Sequence, residues 1–346
     1  MPIFGLNQET KQEKRVKENI YNLLEKAIIK RIKNSNRPVA FLCSGGIDSS
    51  IIFCIAHEYM KKQGRKMHVF SMEYFEETGQ GKSFDAFYAK MLMNQYPDVD
   101  YTPVKFDWED VKKIVKKMPQ ILETYDPNTI RASIPMYYLA KYLKENTDYT
   151  VFLSGEGADE LFMGYNYFSF IQGADQEKDK LANEESLRLI NNLHMFDVLR
   201  ADRTFNGNGL ELRVPFLDKD LVTYVANLKG SYKLPKNGVE KHLLRECVRD
   251  KFIELTYSRV LDRQKERFSD GCGFSYVLKI MNYVADVKDE DESISLSEKE
   301  KREKAYYKWL FDGYYGEDNK HLIVKRVLPD FCKSEENAKN SKLLSA

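Results

Sequence analysis

The chain has 346 residues, a length that predicts about two domains at roughly 150 residues each. Its 54 Lys and Arg residues almost balance its 53 Asp and Glu residues, so the net charge is +1 at pH 7. That balance argues against a nucleic-acid-binding protein held mainly by positive charge. Apolar residues make up 42% of the chain and mean hydropathy is −0.55, values typical of a folded globular protein. No run of apolar residues is long enough for a membrane span, so no membrane partner is expected.

The cysteines are odd in number and widely spread, with no CxxC pair and no cluster with histidine. They are Cys43, Cys54, Cys247, Cys272 and Cys332. This pattern is not typical of a disulfide framework or of a structural zinc site. The N-terminal segment contains no apolar core of a signal peptide. The sequence therefore predicts a cytoplasmic protein with reduced thiols.

Predicted helices and strands alternate in the first half of the chain. An amphipathic helix comes first, at 16–33, because its apolar residues recur at helical spacing. The predicted strands are 38–43, 67–72, 100–106 and 149–154. The helices predicted between them are 51–62, 83–95, 109–122 and 133–145. The alternation predicts an α/β fold, a mostly parallel sheet with helices on both faces, and Pro103 marks the third strand as an edge strand.

Beyond residue 160 only helices are predicted. They are expected at 186–202, 217–228, 239–252 and 274–285. Polar composition predicts a mobile loop at 173–186 and weak order at 286–304 and after Cys332. The chain is accordingly divided into an entry helix, a nucleotide-binding α/β region, a helical region that completes the site, and a polar tail. Their predicted bounds are 1–36, 37–170, 171–332 and 333–346.

Residues 44–50, SGGIDSS, join a predicted strand to a predicted helix. Glycines let backbone N–H groups approach phosphate oxygens, serine hydroxyls add donors, and a helix N-terminus favours negative charge. The segment resembles the PP-loop of the ATP pyrophosphatase superfamily; the alternative is an ordinary Gly-Ser turn. The resemblance implies an adenine nucleotide alpha hydrolase-like fold, with ATP cleaved between its α and β phosphates. It assigns ATP and pyrophosphate binding to Ser44, Gly45, Gly46, Asp48, Ser49 and Ser50.

A second glycine-rich segment, SGEGADE at 154–160, also follows a predicted strand. Ligands of parallel sheets bind beyond the carboxyl ends of the strands, so both segments are expected at one site. Because an aspartate alone repels phosphates, Asp48 is expected to act through Mg²⁺.

Further blocks narrow the resemblance to one family. The blocks are 124–138, 153–160, 196–218, 235–246 and 263–271. They resemble, in family order, the synthetase domain of glutamine-dependent asparagine synthetases, and the resemblance extends over roughly 16–332. It implies a two-step reaction with ATP and Mg²⁺. The side-chain carboxylate of aspartate attacks the α-phosphorus of ATP to give β-aspartyl-AMP and pyrophosphate, and ammonia then displaces AMP to give asparagine.

The resemblance gives roles to three charged residues besides Asp48. Glu156 is the carboxylate that organises the intermediate and takes a proton from ammonia; the alternative is a helix N-cap. Asp159 is a second anionic group for Mg²⁺ and pyrophosphate, or else a first-turn acid that favours the helix dipole. Lys265 is the cation at the transferring phosphate, or else a solvated surface lysine.

The remaining assignments concern the two substrates. A charge network for aspartate is expected from Asp197, Arg200, Glu211 and Arg213. Asp197 and Arg200 are spaced i, i+3, so an intrahelical salt bridge is the alternative.

Family positions around ATP are matched by Leu42, Met72, Met136, Ser154 and Gly155, and Lys241 is a weaker candidate for a phosphate contact. Leu42 and Met72 are equally compatible with a plain core role.

Glutamine-using members of this family open with a glutaminase domain whose nucleophilic cysteine follows Met1. Here Pro2 follows Met1, and only about 40 residues precede Ser44. We therefore expect free ammonia as the nitrogen donor, or ammonia from a separate glutaminase subunit. Three other readings stay open: a relative that forms an amide or lactam from a different carboxylate, a catalytically silent binding partner, and a tRNA-modifying PP-loop enzyme.

Overall fold

The computed structural model describes residues 10–75, 83–264, 277–284, 286, 294–318 and 327–332. Five strands lie in these ranges: β1 (Val39–Leu42), β2 (His68–Tyr74), β3 (Asp100–Phe106), β4 (Val151–Leu153) and β5 (Glu211–Arg213). They form one sheet in the order β3-β2-β1-β4-β5, and every neighbouring pair is parallel. The predicted parallel sheet is confirmed, and β3, which contains Pro103, is an edge strand as expected.

Helices pack around the sheet in both halves of the described part of the chain. In the first half they are α1 (Lys11–Lys33), α2 (Ile47–Lys62), α3 (Phe84–Met93), α4 (Trp108–Val115), α5 (Met118–Leu122), α6 (Pro127–Asn146) and α7 (Ala158–Leu161). In the second half they are α8 (Asp175–Asn192), α9 (Asp197–Asn206), α10 (Lys219–Ala226), α11 (Gly230–Lys233), α12 (His242–Val248), α13 (Ile253–Tyr257) and α14 (Leu296–Tyr315). Residues 277–284 are also helical.

Alternate residues of the strands divide between two apolar clusters, one on each face of the sheet. On one face, Phe41 and Leu153 pack with apolar residues of α1 and α2. On the other face, Phe70 and Phe152 pack with apolar residues of α6 and α9. Full burial of one such side chain stabilises the fold by about 1.5–3 kcal/mol. The expected α/β fold with helices on both faces is therefore confirmed.

The expectation that no strand follows residue 160 is wrong. β5 pairs in parallel with β4, with Leu212 opposite Phe152. Its three residues contain one apolar side chain between two charged ones, which gives no strand signal in the sequence. Pairing with the exposed edge of β4 supplies the hydrogen bonds that make it a strand.

The expected mobile loop at 173–186 is also wrong, because α8 begins at Asp175. α8 packs against α7 and α11. It buries Ala182, and its Ser186 Oγ donates a hydrogen bond to the Glu160 carbonyl at 2.7 Å. These contacts, which composition does not reveal, order a polar segment.

Weak order at 286–304 is wrong from Leu296 onward, where α14 begins. The reason is a buried ion pair: Arg131 Nε of α6 donates to Glu303 Oε1 at 3.0 Å, and both side chains are buried. Tyr307 and Phe311 are buried on the same helix. Residues 287–293 and those after Cys332 lie outside the described residues.

Both predicted main regions contribute to the same core, since Phe216 and Leu244 belong to the cluster that contains Phe41. The bounds of the predicted domains stay a prediction. Within the described ranges, no helix combines the length and the apolar character that crossing a bilayer requires. The cysteines of those ranges are free and buried: Cys43, Cys54, Cys247 and Cys332.

Lys233 of α11 is a buried amine whose Nζ donates to the Val225 carbonyl at 3.1 Å. Burial lowers the pKa of this amine from 10.5 to about 8, an effect that Asp179 opposes. The unfolded chain therefore binds more protons between pH 8 and 10.5, so stability rises with pH in that window. We expect Lys233→Met to raise the free energy of unfolding at pH 7 by about 1–3 kcal/mol and to remove that rise.

Urea unfolding at pH 7 and pH 10 measures both effects. Lys229→Met, at an exposed position just before α11, is the matched control and is expected to leave both values unchanged. A pH dependence that survives in Lys233→Met would contradict the assignment.

Candidate active site

Two glycine-rich loops meet at the carboxyl ends of β1 and β4. The first glycine loop, residues 44–50, follows β1, and the second glycine loop, residues 154–160, follows β4. Because β1 and β4 are hydrogen-bonded neighbours, the chain leaves both strands at the same edge of the sheet. A Cβ atom on Gly155 would lie 2.9 Å from Asp48 Cβ and 3.1 Å from Ser49 N, so the loops are in direct contact.

The first glycine loop is held in shape by its own polar groups. Ser49 Oγ accepts a hydrogen bond from Ser44 N at 3.1 Å and lies 3.2 Å from Ser44 Oγ. Gly45 has φ +73, and a Cβ there would lie 2.4 Å from Ala89 N of α3. Gly46 is the N-cap of α2 and provides no side-chain cap. The N-terminal N–H groups of α2 therefore suit an anion such as phosphate.

Lys241 links the two loops electrostatically. Its Nζ contacts Asp48 Oδ2 of the first loop and lies 2.7 Å from Asp159 Oδ1 of the second. The lysine side chain is 1% exposed, whereas the two carboxylates are 17% and 19% exposed. The sequence ranks Lys241 as a weak candidate, because a single lysine has no spacing signal; the structure gives it a central position.

A second charge cluster is formed by Glu156, Arg200 and Asp197. Arg200 Nη2 donates to Glu156 Oε1 at 3.0 Å and to Oε2 at 3.1 Å. Arg200 Nη1 lies 2.9 Å from Asp197 Oδ1, so the intrahelical salt bridge that was the alternative for this pair is present. The N-cap of α7 is Gly157 and has no side-chain cap, so the N-cap alternative for Glu156 is wrong.

Burial raises the pKa of the Glu156 carboxyl, and the Arg200 guanidinium opposes that rise while the charge of Asp197 adds to it. A carboxyl group whose pKa is raised above its usual range exchanges its proton nearer to neutral pH. Glu156 therefore has the surroundings of a proton acceptor rather than those of a surface acid.

Glu160 is a buried carboxyl that the sequence did not single out. It accepts a hydrogen bond from Tyr165 Oη, and burial together with the charges of Asp197 and Asp159 raises its pKa to about 8. Glu160 is the last residue of the second glycine loop, SGEGADE. Three of these seven residues are acids, and that density of acids was the available sequence signal for Glu160.

Three predicted nucleotide contacts belong to one apolar cluster or pack against it. Met72 of β2 and Met136 of α6 are buried in the same cluster, and the half-buried Leu42 of β1 packs against it. Ser154 is buried at the start of the second glycine loop, and its N–H donates to the Arg213 carbonyl at 3.0 Å. Leu42 ends β1, two residues before the first glycine loop begins at Ser44, and a role of all three residues in binding the nucleotide stays a prediction.

Glu211 and Arg213 of β5 have different surroundings from the other two predicted aspartate-binding residues. Arg213 Nε donates to Glu211 Oε1 at 2.7 Å. The Arg213 guanidinium also donates to the carbonyls of Arg31 and Asn34 at the end of α1, the latter at 3.4 Å. These contacts are those of a helix C-terminal cap, and a role of the pair in binding aspartate stays a prediction.

Lys265 lies outside the described residues. The chain just before it is fixed beside α3, because Arg263 Nη2 donates to Asp85 Oδ1 at 2.5 Å and the guanidinium lies over the Tyr88 ring. Arg245 of α12 donates to the Arg263 carbonyl at 2.8 Å. Sequence reasoning missed Asp85 and Arg245, since their partners are distant in the chain.

The family model for asparagine synthase matches residues 19–182 and 169–322. The chain belongs to the asparagine synthase family. Glutamine-hydrolyzing asparagine synthetases from Cricetulus griseus and Mus musculus are each 38% identical over 309 residues, which is 87% of this chain and 53% of theirs. The Homo sapiens asparagine synthetase is 37% identical over the same share. The chain thus spans about half the length of these relatives.

Two solved structures are also similar. A U34-tRNA thiolase from Methanococcus maripaludis has a TM-score of 0.34 at 14% identity, covering 94% of this chain and 89% of that one. An NMN synthetase from Francisella tularensis has a TM-score of 0.30 at 14% identity, covering 92% and 98%. The family resemblance predicted from the sequence is confirmed by the family model and the curated relatives.

The contact between the two loops depends on the absence of a side chain at Gly155. We expect Gly155→Ala to lower the free energy of unfolding by about 1–3 kcal/mol, because the new methyl group meets Asp48 and the Ser49 backbone. Urea unfolding measures the change. Gly313→Ala, where nothing lies within 4 Å, is the matched control and should stabilise α14 by about 0.5–1 kcal/mol. Equal effects of the two substitutions would show that the loops are not closely packed.

Proposed function

We propose that this chain catalyses the ATP-dependent amidation of aspartate to asparagine through β-aspartyl-AMP, releasing AMP and pyrophosphate. The observation that carries the proposal is the pair of strand-end loops, which brings Asp48, Asp159 and Glu156 together with two buried cations. The identity of 38% to asparagine synthetases over 87% of the chain supports the same reaction class, a ligase that forms a carbon–nitrogen bond.

In the first step, the side-chain carboxylate of aspartate attacks the α-phosphorus of ATP. A P–O bond to aspartate forms, the bond to the β-phosphate breaks, and pyrophosphate leaves. The backbone N–H groups of the first glycine loop and the hydroxyls of Ser44, Ser49 and Ser50 would bind the phosphates. Lys241 would add positive charge there, as would Lys265 by family resemblance.

Mg²⁺ fits the carboxylates of this site. The described residues contain no group of three or more His, Cys, Asp or Glu side chains that could hold a metal. Asp48 and Asp159 are nevertheless held on one ammonium group, and two carboxylates together with substrate phosphates are a common way to bind Mg²⁺. When bound, Mg²⁺ would neutralise charge on the phosphates.

In the second step, ammonia attacks the activated carbonyl. A C–N bond forms, the C–O bond to AMP breaks, and one proton must leave the nitrogen. Glu156 is our candidate for the proton acceptor, because its side chain is only 18% exposed and its two oxygens are oriented by Arg200. A positioned base of this kind typically contributes about 10²–10⁴ in rate.

Among the four residues predicted to bind aspartate, the contacts support Asp197 and Arg200 best, since both belong to the Glu156 cluster. Glu211 and Arg213 belong to the proposal by resemblance alone. For the nitrogen donor we propose free ammonia, with a separate glutaminase subunit as the alternative source. We propose a cytoplasmic location for the reaction.

A single assay tests the proposal. The chain is incubated with ATP, Mg²⁺ and aspartate, with ammonium or with glutamine, and both pyrophosphate and asparagine are measured. With ammonium we expect asparagine and continuing release of pyrophosphate. With glutamine we expect no asparagine and at most about the one equivalent of pyrophosphate that formation of β-aspartyl-AMP releases. Pyrophosphate that does not depend on aspartate would point to another carboxylate, and no pyrophosphate under any condition would overturn the adenylation step. Glu58→Gln, an exposed carboxylate of α2, is a control expected to keep full activity.

The hydrogen bonds from Arg200 to Glu156 lead to a prediction about the pH dependence of the rate. Arg200 lowers the pKa of Glu156, so Arg200→Gln leaves the opposing effect of burial and raises that pKa further. The carboxylate then forms only at higher pH, and the acidic limb of the kcat profile is expected to move up by roughly one pH unit. Arg203→Gln is the matched control, because Arg203 on the same helix pairs with Glu123 at the surface. Identical profiles for the two variants would contradict the role of Arg200.

A further inference from the structure

The Lys241 ammonium and a bound divalent cation would need the same carboxylate oxygens. Lys241 Nζ contacts Asp48 Oδ2 and is 2.7 Å from Asp159 Oδ1. Among the described residues, these two carboxylates are its hydrogen-bond and ion-pair partners. The side chain is buried at 1% exposure, so water does little to weaken these attractions.

The net charge of Asp48, Asp159 and Lys241 favours binding of a divalent cation together with a nucleotide over binding of the cation alone. Two carboxylates and one ammonium carry a net charge of about −1, and a divalent cation would change that to about +1 in a largely buried place. The phosphates of a nucleotide remove this excess and also supply oxygen ligands. They further offer new acceptors to the ammonium, which stands on a flexible four-carbon stem.

We propose that Lys241 is an internal counter-ion that competes with the divalent cation for Asp48 and Asp159, and so makes metal binding depend on nucleotide. Metal alone must displace the ammonium without giving it another partner. A metal–nucleotide complex displaces it and provides phosphate oxygens in exchange. The inference rests on the proposed function for the identity of the ligands, but it concerns an equilibrium that needs neither aspartate nor turnover.

The α12 backbone explains how the ammonium is held there. Lys241 is the N-cap of α12 in the left-handed region, with φ +53. One turn later, Arg245 donates to the Leu261 carbonyl at 2.5 Å and to the Arg263 carbonyl at 2.8 Å, which fixes the start of the helix. Only the lysine side chain therefore has to move when the carboxylates are taken by a metal ion.

The test is a titration with Mn²⁺, followed by the electron paramagnetic resonance signal of the free ion. Wild type, Lys241→Met and Lys241→Gln are titrated alone and with α,β-methylene-ATP, which is not cleaved between its α and β phosphates. We expect the two Lys241 variants to bind Mn²⁺ without nucleotide at least about tenfold more tightly than wild type. In wild type, we expect the nucleotide to tighten Mn²⁺ binding at least about tenfold, and by less in the variants.

Two further variants make the result specific. Lys61→Met removes an exposed lysine that pairs with Asp98 at the surface, and it should bind Mn²⁺ like wild type. The double variant Lys241→Met, Asp48→Asn should lose the gain in Mn²⁺ affinity that Lys241→Met alone shows. Thermal unfolding establishes that each variant is folded. If neither Lys241 variant folds, the effect of the nucleotide on Mn²⁺ affinity in wild type decides whether the proposal holds.

Either of two results overturns the proposal: no gain of Mn²⁺ affinity in a folded Lys241 variant, or no effect of nucleotide on Mn²⁺ binding to wild type. A gain that survives Asp48→Asn also overturns it, because the metal would then bind elsewhere. Failure of the amidation assay alone leaves these binding results unaffected, so the two proposals fail separately.

Discussion

The pairing of β1 with β4 is the constraint on which the site depends. These strands are more than a hundred residues apart in the chain, yet Phe41 lies opposite Leu153. Parallel pairing sends the chain out of both strands at one edge, so each following loop must pass the other. At Gly155 the remaining gap is too small for a methyl group, and this fixes Asp48 against the second loop. The site is thus a consequence of sheet register before any charge is considered.

The charges gathered in the site contribute little to the stability of the fold. Carboxyl groups at Glu156 and Asp197 are gathered around Arg200, and those at Asp48 and Asp159 around Lys241. The buried carboxyl of Glu160 lies close enough to Asp197 and Asp159 for their charges to raise its pKa. Buried ion pairs of this kind seldom stabilise a fold more than apolar packing would. Elsewhere in this chain, the buried pair of Arg131 and Glu303 joins two helices one to one, as expected for a structural contact. Carboxyl groups such as Glu156 and Glu160, whose pKa values are raised by burial and by neighbouring acids, are typical of functional sites.

Sequence reasoning succeeded where the signal is local. Short apolar runs predicted β1, β2, β3 and β4, and the glycine-rich segments after two of them predicted loops at the sheet edge. It failed where the signal is tertiary. β5 is a strand because the edge of β4 accepts it, and α8 is ordered by α7 and α11 although its own residues are mostly polar. α14 is fixed by a buried Glu303 whose partner is 172 residues away.

The same distinction separates the site residues. Asp48, Glu156 and Asp159 stand inside motifs, so the sequence names them, whereas Lys241 acquires its meaning from two carboxylates in other loops. Arg200 is an intermediate case. Its spacing from Asp197 predicts the salt bridge, but only the fold reveals that the other half of its fork holds both oxygens of Glu156. A guanidinium paired with two carboxylates of the chain fixes them relative to each other, because its donors lie in one rigid plane. The contacts of Arg200 therefore set the orientation of the Glu156 carboxylate, and they do so from a helix whose position the sequence pattern around SGEGADE does not reveal.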